Sequence, residues 1–176
     1  YAKGGCPFSY AVRVHDAVLT KNCPAWVANV VAKVSNGGYD IAVTSQRAGV
    51  AWVGGNTSAV NGLAKLWSQL SSIGLPIVAI KDNPNPGQKI PACLLAGVDC
   101  LANKAKALQF DPQVQAAAEV PAVKLVNFDD IYCDELNCLP VIGHVVVYRD
   151  DNHLTDTFAR TLAPLLEPVI HGELTR

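Results

Sequence analysis

Segment 148–155 holds the densest group of side chains that could act together in catalysis, with Asp150 three residues before His153. On a tight turn, a carboxylate at this spacing can accept a hydrogen bond from the imidazole Nδ1–H. That bond fixes the tautomer and leaves Nε2 free to accept a proton. The commoner interpretation of this spacing is structural: Asp150 or Asp151 caps the following helix and His153 lies at the surface. The spacing alone does not distinguish the two.

A histidine that acts as a general base requires a nucleophile. None of the serines lies in a Gly-Asp-Ser or Gly-x-Ser-x-Gly motif. The glycine turn Gly54-Gly55, followed by Thr57 and Ser58, comes closest, and it favours a loop and a helix N-cap over a nucleophile. It is also a weak signal for an anion-binding turn.

The remaining histidines give no sign of a metal centre. We interpret His15 and His171 as solvated residues and His144 as the first residue of a strand. No His-x-x-x-His or comparable ligand spacing is present. The sequence therefore predicts neither a metal nor a cofactor.

The six cysteines form three pairs that are local in sequence. We predict the disulfides Cys6–Cys23, Cys93–Cys100 and Cys133–Cys138. Reduced buried thiols and a zinc site are the alternatives, but zinc ribbons favour Cys-x-x-Cys knuckles, which are absent here. Disulfides predict an oxidising, extracytoplasmic compartment.

The elements that must position these residues alternate between strands and helices. Residues 1–5 predict a strand end and its turn, and Pro24 is typical of a first helical residue. Asp40–Thr44, Pro76–Lys81, Ala122–Phe128 and Val145–Tyr148 predict strands. Between and after them, helices are predicted from Thr57 or Ser58 to Gly74, from Pro112, and from Thr155, where Pro164 should bend or end the helix.

Continuous apolar strands with interleaved helices predict an α/β fold, a three-layer α/β/α sandwich with a flavodoxin-like parallel sheet. We expect residues 1–176 to form a single domain. Ligands of such sheets bind at the carboxyl ends of the strands.

Charge and hydropathy argue against a nucleic-acid partner and against a membrane-spanning helix. The net charge of −1 and the scattered Lys and Arg residues leave no basic stripe, so nucleic acid is not a predicted partner. No apolar run approaches the roughly 18 to 20 residues of a membrane helix.

The chain has no Met and begins at Tyr1 without a signal peptide, so we expect that a segment upstream has been removed.

Segment 145–166, from the Val-Val-Val before Tyr148 to Leu166, resembles the last block of SGNH (GDSL-like) hydrolase domains. It is most similar to the version attached behind the membrane acyltransferase-3 domain of bacterial envelope O-acyltransferases. Lys3-Gly-Gly-Cys-Pro-Phe8, Cys23-Pro-Ala-Trp26, the segment 39–47 and Asp82-Asn-Pro84 also resemble that family, so the similarity runs nearly end to end.

The resemblance implies roles for particular residues. Asp150 would orient the imidazole and His153 would be the base. The oxyanion donors would come from Gly4 or Gly5 and from one of Ser45, Gln46 and Arg47.

The sequence departs from the family at the nucleophile. The Gly-Asp-Ser block is absent, and the family places it before Tyr1, together with the first strand and first helix. We therefore expect this chain to derive from a longer enzyme or to pair with a segment of another chain, and the isolated chain to be inactive without that serine. A missing central strand also leaves unpaired sheet edges.

The resemblance implies an O-acyltransferase or carboxylic-ester hydrolase that acts on an envelope polysaccharide or glycolipid, with acetyl as the expected acyl group. The partners would be an acyl donor, that acceptor and an N-terminal membrane acyltransferase domain. The domain would lie in the periplasm or on the outer face of the envelope, tethered to the membrane. The alternative is a catalytically silent glycan-binding module of the same fold.

Overall fold

The computed structural model describes residues 1–14 and 17–175. Within them the helices are α1 (Ala17–Ser35), α2 (Gly55–Ser72), α3 (Ile90–Ala96), α4 (Lys104–Ala107), α5 (Pro112–Glu119), α6 (Asp129–Tyr132) and α7 (Asp156–Leu174). The strands are β1 (Ala42–Ser45), β2 (Ile77–Ile80), β3 (Ala102–Asn103), β4 (Val123–Val126), β5 (Asn137–Cys138), β6 (Val141–Ile142) and β7 (Val145–Val146).

The chain divides into two compact units. The first comprises Tyr1–Asp82, Asp111–Val126 and Val169–Arg176, and the second comprises Asn83–Phe110 and Asn127–Pro168.

The first unit contains the parallel sheet that the apolar runs predicted. Its strand order is β1-β2-β4, with Ala42 opposite Ile77 and Ile77 opposite Val123. Parallel neighbours require crossover connections, and α2 and α5 lie in the two connections of this sheet. The α/β class with a parallel sheet is confirmed.

The core of this unit lies between β2 and the helices. Leu63, Trp67 and Leu70 of α2 recur at helical spacing and are fully buried, together with Ile77 and Ala79 on one face of β2. Ala116 of α5 and Val120, directly after the helix, complete the same cluster. Burial of these apolar side chains, at roughly 25 cal/mol per Å², is the main stabilising term for the sheet.

The second unit is built from short antiparallel pairs. β3 pairs with β5 and β6 pairs with β7, around a cluster that includes Ile90, Tyr148 and Phe158.

All three predicted disulfides are present: Cys6–Cys23 lies in the first unit, and Cys93–Cys100 and Cys133–Cys138 lie in the second. The four cysteines of the second unit are themselves buried in its apolar cluster.

The expected strand Val145–Tyr148 is not part of the parallel sheet. Only Val145 and Val146 form a strand, and they pair with β6 in a hairpin. Gly143 and His144 both have positive φ, of 55° and 64°, as a two-residue type I′ hairpin loop requires. His144 therefore lies in the turn and does not begin the strand.

Several helix boundaries also differ from the prediction. Pro24 lies inside α1, and α2 begins at Gly55 after a left-handed Gly54, with no side-chain cap from Thr57 or Ser58. α7 continues through Pro164 and Pro168. Residues 1–3 form no strand, although Gly4 and Gly5 do form the expected turn. α3 and α4 occupy segments in which no helix was predicted.

Gly62 marks the closest approach between α2 and the N-terminal segment. A Cβ there would lie 2.3 Å from the backbone N of Ala11 and 2.6 Å from its Cβ. We expect Gly62→Ala to lower the free energy of unfolding by about 1 to 3 kcal/mol, because backbone must move to relieve the clash. Urea denaturation measures the change.

Gly172→Ala is the matched control, since a Cβ on that α7 glycine meets nothing within 4 Å. It should be neutral or stabilise the protein by up to about 1 kcal/mol, as alanine favours a helix interior. Equal effects of the two substitutions would contradict the close approach at Gly62.

Candidate active site

The Asp150 carboxylate organises the 150–153 turn. Its Oδ1 accepts the backbone N–H groups of Asn152 and His153, at 2.9 and 2.7 Å, and its Oδ2 lies 2.7 Å from the His153 Nδ1. One carboxylate therefore shapes the backbone and orients the ring. With Nδ1 donating to Asp150, the free Nε2 is the proton acceptor. The His153 side chain is 59% exposed, so a reactant can reach that nitrogen.

Backbone hydrogen bonds close the segment on both sides of the turn. Arg149 N–H donates to the His153 carbonyl at 2.9 Å, and Tyr148 and Leu154 form an antiparallel bridge. The Thr155 hydroxyl accepts the Phe158 N–H at 3.1 Å, so Thr155 caps α7. The cap expected from Asp150 or Asp151 is therefore wrong, because the Asp150 carboxylate is engaged within its own turn.

The local hydrogen bonds set the charge state of Asp150. The N–H groups of His153 and Asn152, in that order, hold the pKa of this carboxyl well below its usual range, and the imidazole contributes further. The Arg149 guanidinium Nε lies 3.8 Å from Oδ2. Asp150 is thus an anion at neutral pH, and it can stabilise an imidazolium that forms on His153.

The expected oxyanion donors lie in the first unit. Gly4 and Gly5 form the N-terminal turn, in which the Cys6 N–H donates to the Lys3 carbonyl at 3.0 Å. The Gly5 carbonyl accepts Arg13 Nη1 at 3.4 Å.

The other three candidates follow one another at the end of β1. Ser45 is its last residue, opposite Ile80. The buried Nε2 of Gln46 has no hydrogen-bond partner among the described residues. The pKa of Arg13 is lowered, first by burial and second by repulsion from the Arg47 guanidinium. Arg13 therefore binds the Gly5 carbonyl, while its positive charge is repelled by Arg47.

The other histidines take no part in this turn. His144 lies in the β6–β7 loop, and His171 is exposed near the end of α7. His15 lies outside the described residues. Where the structure describes the chain, no three His, Cys, Asp or Glu residues are grouped as metal ligands, and no helix is long and apolar enough to cross a membrane.

The sequence reasoning gave no role to the polar residues that follow β2. The Asp82 carboxylate accepts the Ala48 N–H at 2.8 Å, and the Asp82 N–H donates to Asp111 Oδ2 at 2.9 Å. Asp111 also caps α5 through the Gln113 N–H at 2.9 Å. The available signal is the position of Asp82, which comes just after an apolar strand.

Asn83, the next residue, belongs to the Asp82-Asn-Pro84 segment that resembles the family, and the sequence assigns it no role of its own. Its Nδ2 donates to the Asn152 carbonyl at 2.9 Å, within the second unit. It therefore contacts the turn that carries His153.

The sequence matches the family model described as an SGNH domain fused to AT3 domains, over residues 1–168. No curated protein gives a significant match. Among solved structures, the chain is similar to the lipopolysaccharide acetyltransferase periplasmic domain from Salmonella ser. Paratyphi A, with a TM-score of 0.69 and 13% identity. That similarity covers 95% of this chain and 69% of the other. The predicted resemblance and fold class are confirmed.

The low pKa of Asp150 has a consequence for stability. A carboxyl whose pKa is depressed by folding stabilises the folded state above its unfolded pKa of about 3.9, and this contribution disappears as pH falls through the folded-state pKa. We expect Asp150→Asn to lower the free energy of unfolding by a constant amount from about pH 7 to pH 5, and by progressively less at lower pH. Urea denaturation across this range measures it.

Asp151→Asn, which removes the exposed neighbouring carboxylate, is the control. A deficit in Asp150→Asn that does not shrink in acid would show that Asp150 is not held ionised by the turn.

Proposed function

The chain belongs to the family of SGNH domains fused to AT3 domains, and from this premise we propose that it is part of an extracytoplasmic O-acyltransferase or esterase of the Ser-His-Asp type. The observation that carries the proposal is the Asp150–His153 pair, with 2.7 Å between the carboxylate and Nδ1 and an accessible ring. The match over residues 1–168 also supports a single SGNH-type domain for residues 1–176.

In the proposed reaction, a serine outside these 176 residues attacks the carbonyl of an acyl donor. His153 Nε2 accepts the hydroxyl proton, and Asp150 stabilises the resulting imidazolium. The tetrahedral intermediate collapses to an acyl-serine, and the imidazolium returns its proton to the leaving group.

A sugar hydroxyl then loses its proton to His153 and attacks the acyl-serine. The ester forms on the sugar, and the serine oxygen recovers the proton from His153. Water in place of the sugar gives hydrolysis, the esterase outcome.

The oxyanion would be held by N–H groups near Gly4 or Gly5 and by one of Ser45, Gln46 and Arg47. Each such donor is typically worth about 3 kcal/mol of barrier. The unpartnered Nε2 of Gln46 supports the second part of this assignment, because it is a buried donor still free to bind an anion.

The edge of the parallel sheet supports a serine-bearing strand from outside the sequence. β1 pairs with β2 on one side, and a cavity of about 430 Å³ lies along it, lined in part by Phe8, Trp26 and Val43. Val43, on this edge strand, is 45% exposed. We propose that the strand carrying the nucleophile pairs with β1 over this cavity.

The acceptor we propose is an envelope polysaccharide or glycolipid, with acetyl as the transferred group. The similarity to the lipopolysaccharide acetyltransferase periplasmic domain of Salmonella supports this choice. Three disulfides fit an oxidising compartment outside the cytoplasm. The AT3 fusion of the family supports a membrane domain in the same polypeptide.

A serine-directed fluorophosphonate tests the mechanism in the polypeptide that contains this chain with its flanking sequence. We expect one labelled serine, located by peptide mass spectrometry outside residues 1–176. His153→Ala should reduce the labelling rate and acetyl-ester hydrolysis by about a thousandfold or more, because the serine loses its base.

His171→Ala is the control, since that histidine is exposed on α7 and should leave both rates unchanged. Labelling that survives His153→Ala at full rate would refute an activated nucleophile. Absence of any labelled serine in a protein that binds glycan would favour the silent binding module.

A further inference from the structure

The peptide bond between Asn152 and His153 is held at both ends. Its N–H donates to Asp150 Oδ1 at 2.7 Å, and its carbonyl accepts Asn83 Nδ2 at 2.9 Å. This peptide carries the His153 Cα, so its orientation sets the direction in which the imidazole leaves the backbone. The first contact lies within the turn, whereas the second comes from a segment 69 residues away in sequence.

We propose that Asn83 is a positioning residue, which fixes the imidazole of His153 by holding the Asn152 carbonyl. The proposal rests on the proposed function in one respect, since it takes His153 to be the base.

The segment that begins at Asn83 is itself anchored. Asn83 Nδ2 also lies 3.2 Å from the Pro84 carbonyl, Pro84 is buried, and the Asn85 N–H donates to Ala107 at 2.9 Å. The same segment leads into α3, whose first residue, Ile90, donates its N–H to the Asp150 carbonyl at 3.3 Å. Segment 83–90 therefore holds the turn at two carbonyls, those of Asp150 and Asn152.

The exposure of His153 makes this anchoring necessary. With more than half of its surface in solvent, the ring lacks the surrounding packing that fixes a buried histidine. Its direction depends on the backbone and on the Asp150 carboxylate. Loss of the Asn83 contact would let the 152–153 peptide rotate and weaken the His153 N–H bond to Asp150.

Two readouts separate this role from general support of the fold. The first readout is kcat for acetyl-ester hydrolysis, measured in the polypeptide that contains this chain with its flanking sequence. In Asn83→Ala it should fall about tenfold with KM little changed, as expected for a misdirected base. The Asp150 pKa, followed by carboxyl ¹³C NMR in this chain, should rise towards the ordinary value of about 3.9, because its main N–H donor is no longer held in place. The Arg149 guanidinium and the His153 ring, which also face this carboxylate, are retained in the variant.

Asn85→Ala is the matched control. It removes a neighbouring amide that accepts the Gly87 N–H at 2.8 Å, and it should change neither readout. Asn83→Gln, which keeps an amide donor, should recover part of both losses. If Asn83→Ala does not fold, Asn83→Ser retains a polar group in this half-buried position, but its hydroxyl is too short to reach the carbonyl.

If Asn83→Ala folds and has the same Asp150 pKa and the same kcat as Asn85→Ala, the proposal is wrong. The titration does not require catalysis, so the two proposals can fail separately. A raised Asp150 pKa in Asn83→Ala would support the positioning by Asn83 on its own. If the polypeptide that contains this chain with its flanking sequence had no labelled serine and neither hydrolysed nor transferred acetyl groups, the proposed function would be refuted separately.

Discussion

The Asp150 carboxylate accepts three N–H groups within four residues, and the candidate site depends on this one set of hydrogen bonds. Two of the donors are backbone groups, so they fold the turn. The third is the imidazole Nδ1, so the same anion selects the tautomer of His153. Charge-assisted hydrogen bonds are stronger than neutral ones, which is why a half-exposed carboxylate can hold this geometry. A negative charge is thereby kept beside the proposed base, where it favours protonation at Nε2.

The two compact units place their functional residues by different physical means. In the first, an apolar core around Trp67 and β2 fixes a parallel sheet, and the residues after β1 and β2 take their positions from it. Buried hydrogen bonds of Asp82, Asp111 and Gln113 order the segments that leave those strands. In the second, the segments are short, and two disulfides with a compact aromatic cluster replace an extended sheet. The 150–153 turn in this unit needs local hydrogen bonds, because no long strand defines its direction.

The exposed edge of β1 is where we propose that the serine-bearing strand pairs. Among the described residues, β1 pairs on one side only, and its exposed edge and half-exposed Val43 are an unfavourable surface to leave in water. The proposed serine-bearing strand would satisfy the backbone groups of that edge and cover the apolar residues at once. The fold and the proposed chemistry thus call for the same additional segment.

Local patterns in the sequence determined much of this protein. Apolar runs predicted the strands β1, β2 and β4, Pro112 predicted the start of α5, and spacing predicted the three disulfides. Asp-x-x-His allowed the 150–153 contact, which the family resemblance then assigned. All of these depend on interactions between near neighbours or on burial of a continuous run. Tertiary structure decided the pairing of Val145–Val146 in a hairpin, the passage of α1 and α7 through prolines, and the contact of Asn83 with Asn152. These depend on which distant segments meet, and packing between distant segments overrides local propensity.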